Sequence, residues 1–189
     1  GSARVGWMLR SQLAPGTRAA LEHGGAAPVI VAKDADMAAA IPRLAKGGFY
    51  HAGQVCVSVQ RIFAHADIAE DLAAALAAEG DKMKVGDPTD ADTEIGPLIR
   101  IAEVDRVHSW VTAAVEGGAK LISGGERVSD SCYKPTVLYD PPSDAEVSQK
   151  EIFGPVICVY PYTDMDEAID RANSLDVAFQ AAVFTKDMD

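Results

Sequence analysis

The chain has 189 residues and a mass of 19.9 kDa, enough for one substantial core. Its 17 basic and 28 acidic residues give a formal charge of −11 without a basic cluster, which argues against binding a phosphate backbone. Hydrophobic residues at 48% argue against a disordered chain, and no run reaches the roughly 20 apolar residues of a membrane span. Val5, Met8, Leu9 and Leu13 share one side of a helix over residues 3–13. The Gly1-Ser2 pair before it reads either as a cloning remnant or as the native lead into that helix. Thr17 to Leu21 is a predicted strand with Glu22 at its end, and Pro28 to Val31 is a second. Asp34 or Asp36 caps an alanine-rich helix through Lys46, which Pro42 either starts nearby or kinks. Gly47-Gly48 loosens the chain after it, and Val57 to Ala64 alternates as a strand with Arg61 on a solvated face.

Asp67 to Glu79 is an amphipathic helix, and Gly86-Asp87-Pro88-Thr89 is a turn. Ile101 to Glu116 is a helix stopped by Gly117-Gly118. Lys120 to Ser123 and Thr136 to Tyr139 are strands, each bounded by glycine or proline. Val156 to Tyr160 is nearly all apolar, as in a strand covered on both faces. Asp164 caps a helix through Ala172, and Gln180 to Thr185 is the final strand. Strands alternating with helices predict an α/β fold with a mainly parallel, layered sheet.

The cysteines, Cys56, Cys132 and Cys158, are odd in number and widely spaced, so neither a disulfide framework nor a zinc site is expected. His23, His51, His65 and His108 show no ligand spacing either, and no metal site is expected. Cys158 reads as a core filler in its strand and Cys132 as a partly exposed thiol without a role. A reduced, cytosolic protein is the simplest account. Cys56 differs, because it follows Gly53-Gln54-Val55 and precedes an alternating apolar run. Gly53 removes bulk, so another molecule can approach the backbone, and the Gln54 amide can orient the loop or a ligand. These residues allow a reactive thiol at the mouth of a sheet or a small buried hydrophobe.

Three stretches bear on that choice: Leu21-Glu22-His23-Gly24-Gly25, Phe49-Tyr50-His51-Ala52-Gly53-Gln54-Val55-Cys56, and Lys150-Glu151-Ile152-Phe153-Gly154-Pro155-Val156. With Gly86-Asp87-Pro88, Gly96-Pro97-Leu98-Ile99, Gly124-Gly125, Pro135-Thr136-Val137-Leu138 and Ala182-Val183-Phe184-Thr185 in order, the chain resembles the catalytic domain of the aldehyde dehydrogenase superfamily. The resemblance implies that Cys56 is the catalytic cysteine and Glu22 the general base. It assigns Glu151 to the nicotinamide ribose and Phe153 to the ring beside it. The helix opened by Gly1 and Ser2, with Val5, would face the pyrophosphate, as a helix N-terminus can. It further implies NAD or NADP as cofactor, a small aldehyde as substrate and a homo-oligomeric parent protein. Aldehyde oxidation would then pass through a thiohemiacetal and a thioester on Cys56.

On the same resemblance, residues 1–22 end a cofactor-binding domain and residues 23–189 form the cysteine-bearing catalytic domain. The chain is then a fragment, expected to show little dehydrogenase activity alone. His23, Ala26, His51, Ser58 and Lys150 stand where the family commonly has other residues, which bears on cofactor-pocket polarity and aldehyde choice. Two other readings fit the residues. One is a cofactor-free cysteine esterase or acyltransferase using His23 or His51 as base, and the other is a structural domain that keeps the fold without the chemistry.

Overall fold

The computed structural model describes residues 2–176 and 180–187. Helix α1 (Ala3–Ser11) leads into an irregular segment, and strand β1 (Ala27–Val31) opens the sheet. Then come α2 (Met37–Phe49), a 3-10 turn (Tyr50–Gly53), β2 (Val59–His65), α3 (Ala66–Lys82) and α4 (Ile101–Glu116). Strands β3 (Lys120–Ser123) and β4 (Thr136–Tyr139) are followed by α5 (Glu146–Gln149), β5 (Val156–Tyr162), α6 (Met165–Ala172) and β6 (Ala182–Phe184). The strand order is β3-β4-β5-β2-β1-β6, parallel throughout except for the antiparallel β3–β4 pair. Right-handed crossovers in that order place α2 and α3 on one face and α5 and α6 on the other.

Burial on both faces explains the composition of the central strands. Ile62, Phe63, Ile157 and Val159 are all buried, as parallel strands sandwiched by helices require. The helices start where side-chain caps are available: Asp36 accepts from the Ala39 N–H and Asp164 from the Glu167 N–H. Pro42 lies inside α2, and so do Gly47 and Gly48, which were expected to loosen the chain. Gly48 instead brings α2 against Ile157 and the Val59 carbonyl, where a Cβ has no room.

Three expectations are corrected. Thr17 to Leu21 is not a strand: residues 12–26 carry no regular structure, residues 11–20 are exposed, and no strand among the described residues pairs with the segment. Arg61 is not on a solvated face. It is only 3% exposed and donates to the carbonyls of Ala26, Arg171 and Ala172, so it caps the end of α6 from within the sheet layer. Cys132 is buried, with its sulfur 3.9 Å from the Gly86 carbonyl. Cys158 is buried in β5 as expected, and burial pushes its thiol up to about 12.

Candidate active site

Three chemistry-bearing residues precede three adjacent strands. Glu22 lies ahead of β1, Cys56 ahead of β2 and Glu151 ahead of β5, and the sheet order β5-β2-β1 puts β2 between the other two. Because these strands are parallel, all three residues emerge at the same edge of the sheet with the thiol in the middle. Neighbouring strands are about 4.8 Å apart, so the flanking loops are within side-chain reach of the central one. A cleft of about 680 Å³ lies there, lined by Ser2, Glu22, Cys56, Glu151 and Phe153 among others.

Cys56 is exposed and sits in a tight turn closed by the bond from the Ser58 N–H to the Val55 carbonyl. The buried Ser58 hydroxyl donates to the Gly48 carbonyl at 3.3 Å, which ties the end of this turn to α2. The loop before the turn passes through three successive left-handed residues, His51, Ala52 and Gly53. Gly53 cannot carry a side chain, because its Cβ would fall on the Gly154 carbonyl. The molecule that approaches Gly53 is therefore the protein's own Glu151 turn. Gln54 then fixes the loop laterally: its amide donates to the Pro97 carbonyl at 3.1 Å and accepts from the Ile99 N–H at 2.9 Å.

Glu151 is half-buried, with Oε1 inaccessible and without a hydrogen-bond partner, directly beside Gly24. A Cβ on Gly24 would occupy the carboxylate's place. Burial raises the Glu151 carboxyl above its ordinary range, while the Arg106 charge and the Gly25 N–H pull it down. Phe153 follows in a left-handed conformation (φ 50°) and is 39% exposed to the cleft side. Such a conformation in a bulky residue costs about 1–3 kcal/mol and is typical of ligand sites.

Arg106 was not singled out from the sequence. Its Nη2 donates to the Ile152 carbonyl at 2.6 Å, its Nε to Glu103 at 2.8 Å, and its guanidinium lies 4.5 Å from the Trp110 ring centroid. The signal was present, since Glu103, Arg106 and Trp110 share one face of a helix. These bonds to Glu103 from Arg106, and then from Arg100, hold its carboxyl below the usual range.

Of the remaining candidates, Ser2 caps α1 by accepting from the Val5 N–H at 3.4 Å and reaches the cleft. Val5 lies outside the lining, and Gly1 falls outside the described residues. Glu22 is exposed on the irregular segment. Neither His23 nor His51 lines the cleft: His23 packs edge-on to Trp7 at 5.8 Å, and His51 lines a neighbouring hollow with Gln54 and Phe153.

A dinucleotide's ribose fits the residues present. Glu151 lines the cleft beside a glycine that leaves its carboxylate room, and a carboxylate is an acceptor for hydroxyl donors. The profile of the aldehyde dehydrogenase family matches residues 1–189. A 3-sulfolactaldehyde dehydrogenase of Priestia aryabhattai is 42% identical over 188 residues, covering 100% of this chain and 39% of that protein. The structure of a glyceraldehyde-3-phosphate dehydrogenase from Methanocaldococcus jannaschii, complexed with NADP, superposes with a TM-score of 0.93 at 36% identity, over 99% of this chain and 40% of that one. A betaine aldehyde dehydrogenase from Staphylococcus aureus, in complex with NAD+, gives a TM-score of 0.91 at 34% identity, over 99% of this chain and 38% of that one. The chain thus spans about two fifths of the length of these relatives.

Proposed function

Because the chain belongs to the aldehyde dehydrogenase family, we propose that its cleft carries the thiol, the base and the ribose acceptor of an NAD- or NADP-dependent oxidation of an aldehyde to a carboxylic acid. The observation that supports this is the emergence of Cys56 between Glu22 and Glu151 at one sheet edge. The Cys56 thiolate attacks the aldehyde carbon, and the Cys56 N–H is one backbone donor for the oxyanion that forms. A nicotinamide dinucleotide, when bound, supplies the acceptor for the hydride leaving the thiohemiacetal, and a thioester stays on the sulfur. Glu22, exposed at the cleft, takes a proton from water as that water attacks the thioester, releasing the acid and restoring the thiol. Glu151 accepts from the ribose hydroxyls beside the nicotinamide, with Phe153 packing near the ring.

In this reading residues 1–22 belong to a cofactor-binding domain and residues 23–189 to the catalytic domain. The rest of the dinucleotide site then lies in the part of such relatives that this chain does not span. The whole protein is read as a cytosolic homo-oligomer acting on a small aldehyde. No histidine lines the Cys56 cleft, so a histidine-assisted esterase finds no support in the geometry. The test is acid-quench mass spectrometry of the whole protein, with its cofactor-binding part, mixed with aldehyde and dinucleotide. An adduct on Cys56, heavier by the aldehyde less two hydrogens, is expected, and it should accumulate in Glu22→Gln. A Cys56 that stays unmodified while iodoacetamide alkylates it freely would defeat the assignment.

A further inference from the structure

Gln60 is a buried polar side chain within β2, 4% exposed, that the proposed chemistry does not use directly. The pairing of β2 with β1 skips it, since Ala27 faces Val59 and the next residue, Pro28, faces Arg61. Gln60 is thus the extra residue of a bulge, a device that re-aims a side chain near a site. It is aimed at the Glu151 turn. Its Nε2 donates to the Lys150 carbonyl at 2.6 Å and to the Val147 carbonyl at 3.0 Å, and its Oε1 accepts from the Ile152 N–H at 2.8 Å. Both donors and the acceptor of the amide are engaged, and two of the three bonds go to the residues on either side of Glu151. On the far side Arg106 holds the Ile152 carbonyl.

We propose that Gln60 is the positioning residue for Glu151. Its amide spans the peptide groups flanking that glutamate and so fixes the carboxylate against Gly24, directed at a pair of vicinal hydroxyls. The functional half rests on the reading of Glu151 as the ribose acceptor, whereas the positional half does not. Cys56 precedes the same strand, so the link also sets the ribose acceptor in register with the thiol. No other common side chain substitutes. Asparagine keeps the amide but falls one methylene short, and methionine keeps the length but offers neither donors nor a strong acceptor.

The experiment follows the Glu151 carboxyl by carbon-13 NMR across pH in the unmodified chain, in Gln60→Met and in Gln60→Asn. Release of the turn lets water reach the carboxylate, so the titration midpoint should fall by about 0.5 pH unit in both variants. Iodoacetamide alkylation of Cys56, whose turn is held by Gln54 and Ser58, should stay within about twofold of the unmodified chain, whereas a general loosening of the fold would accelerate it together with Cys132. Nicotinamide mononucleotide affinity should fall about tenfold in Gln60→Met and no further when Glu151→Gln is already present. A midpoint unmoved in both folded variants overturns the positioning, whatever binds. A midpoint that moves while Glu151→Gln leaves mononucleotide affinity unchanged upholds the positioning and removes the ribose assignment. Amide exchange of Ile152 in the unmodified chain needs no variant. Exchange as slow as the β2 core is expected, and exchange at surface-loop rates overturns the proposal.

Discussion

The two carboxylates that flank Cys56 are held in opposite ways. Glu22 precedes β1 on a segment without regular structure, exposed to solvent along its approach. Glu151 precedes β5 on a turn fixed by Gln60, by Arg106, and by the close approach of Gly53 to Gly154. The difference suits the two tasks proposed for them. A base that handles water needs solvent and some reach, whereas an acceptor for two hydroxyls must keep one direction. The sheet supplies both from one edge, because adjacent parallel strands can begin from loops of very different rigidity.

The largest test of that comparison is Gly53→Ala. The new methyl would collide with the Gly154 carbonyl, and alanine would also have to hold the left-handed conformation (φ 69°) found here. Loss of about 3 kcal/mol or more is expected, read as a lower urea midpoint, because the obstacle is backbone and cannot rotate away. Gly24→Ala meets first the Glu151 carboxylate, a side-chain end that can move. Its urea midpoint should change little, within about 1 kcal/mol, while mononucleotide affinity drops tenfold or more as the acceptor is pushed aside. If Gly24→Ala proved as destabilising as Gly53→Ala, the turn would be a packing feature rather than a held acceptor.

Much of the sheet was readable because its punctuation is local. Ile101–Glu116, Lys120–Ser123 and Thr136–Tyr139 match the predicted bounds, each bordered by glycine or proline close by. The failures came where a partner decides the outcome. Thr17 to Leu21 has strand composition but pairs with no strand among the described residues, and Arg61 faces inward because the bulge at Gln60 interrupts the alternation. The sequence around Cys132 is polar, while its side chain is buried with the sulfur against the Gly86 carbonyl. Cys56, Glu22 and Glu151 could be named from resemblance, but the reason they meet is the strand order β5-β2-β1, which no local pattern encodes. Gln60 carries no local signal for the same reason, since its bonds reach residues about ninety positions away.

The smallest expected effect separates the two carboxylates by pH. Burial raises the Glu151 carboxyl above its ordinary value of 4.5, so folding favours the protonated form. Its contribution to stability is fully present below the unfolded-state value and is lost as pH rises through the folded-state value. Glu151→Gln never carries that charge. Its melting temperature relative to the unmodified chain should therefore be higher at pH 8 than at pH 4, by about 1–2 °C. Glu22 is exposed, and Glu22→Gln should melt within about 1 °C of the unmodified chain at both values. The measurement is calorimetry of the three proteins at the two pH values. A gap of equal size in Glu22→Gln, or none in Glu151→Gln, would mean that the two acids share one environment and that the contrast between a free base and a held acceptor is mistaken.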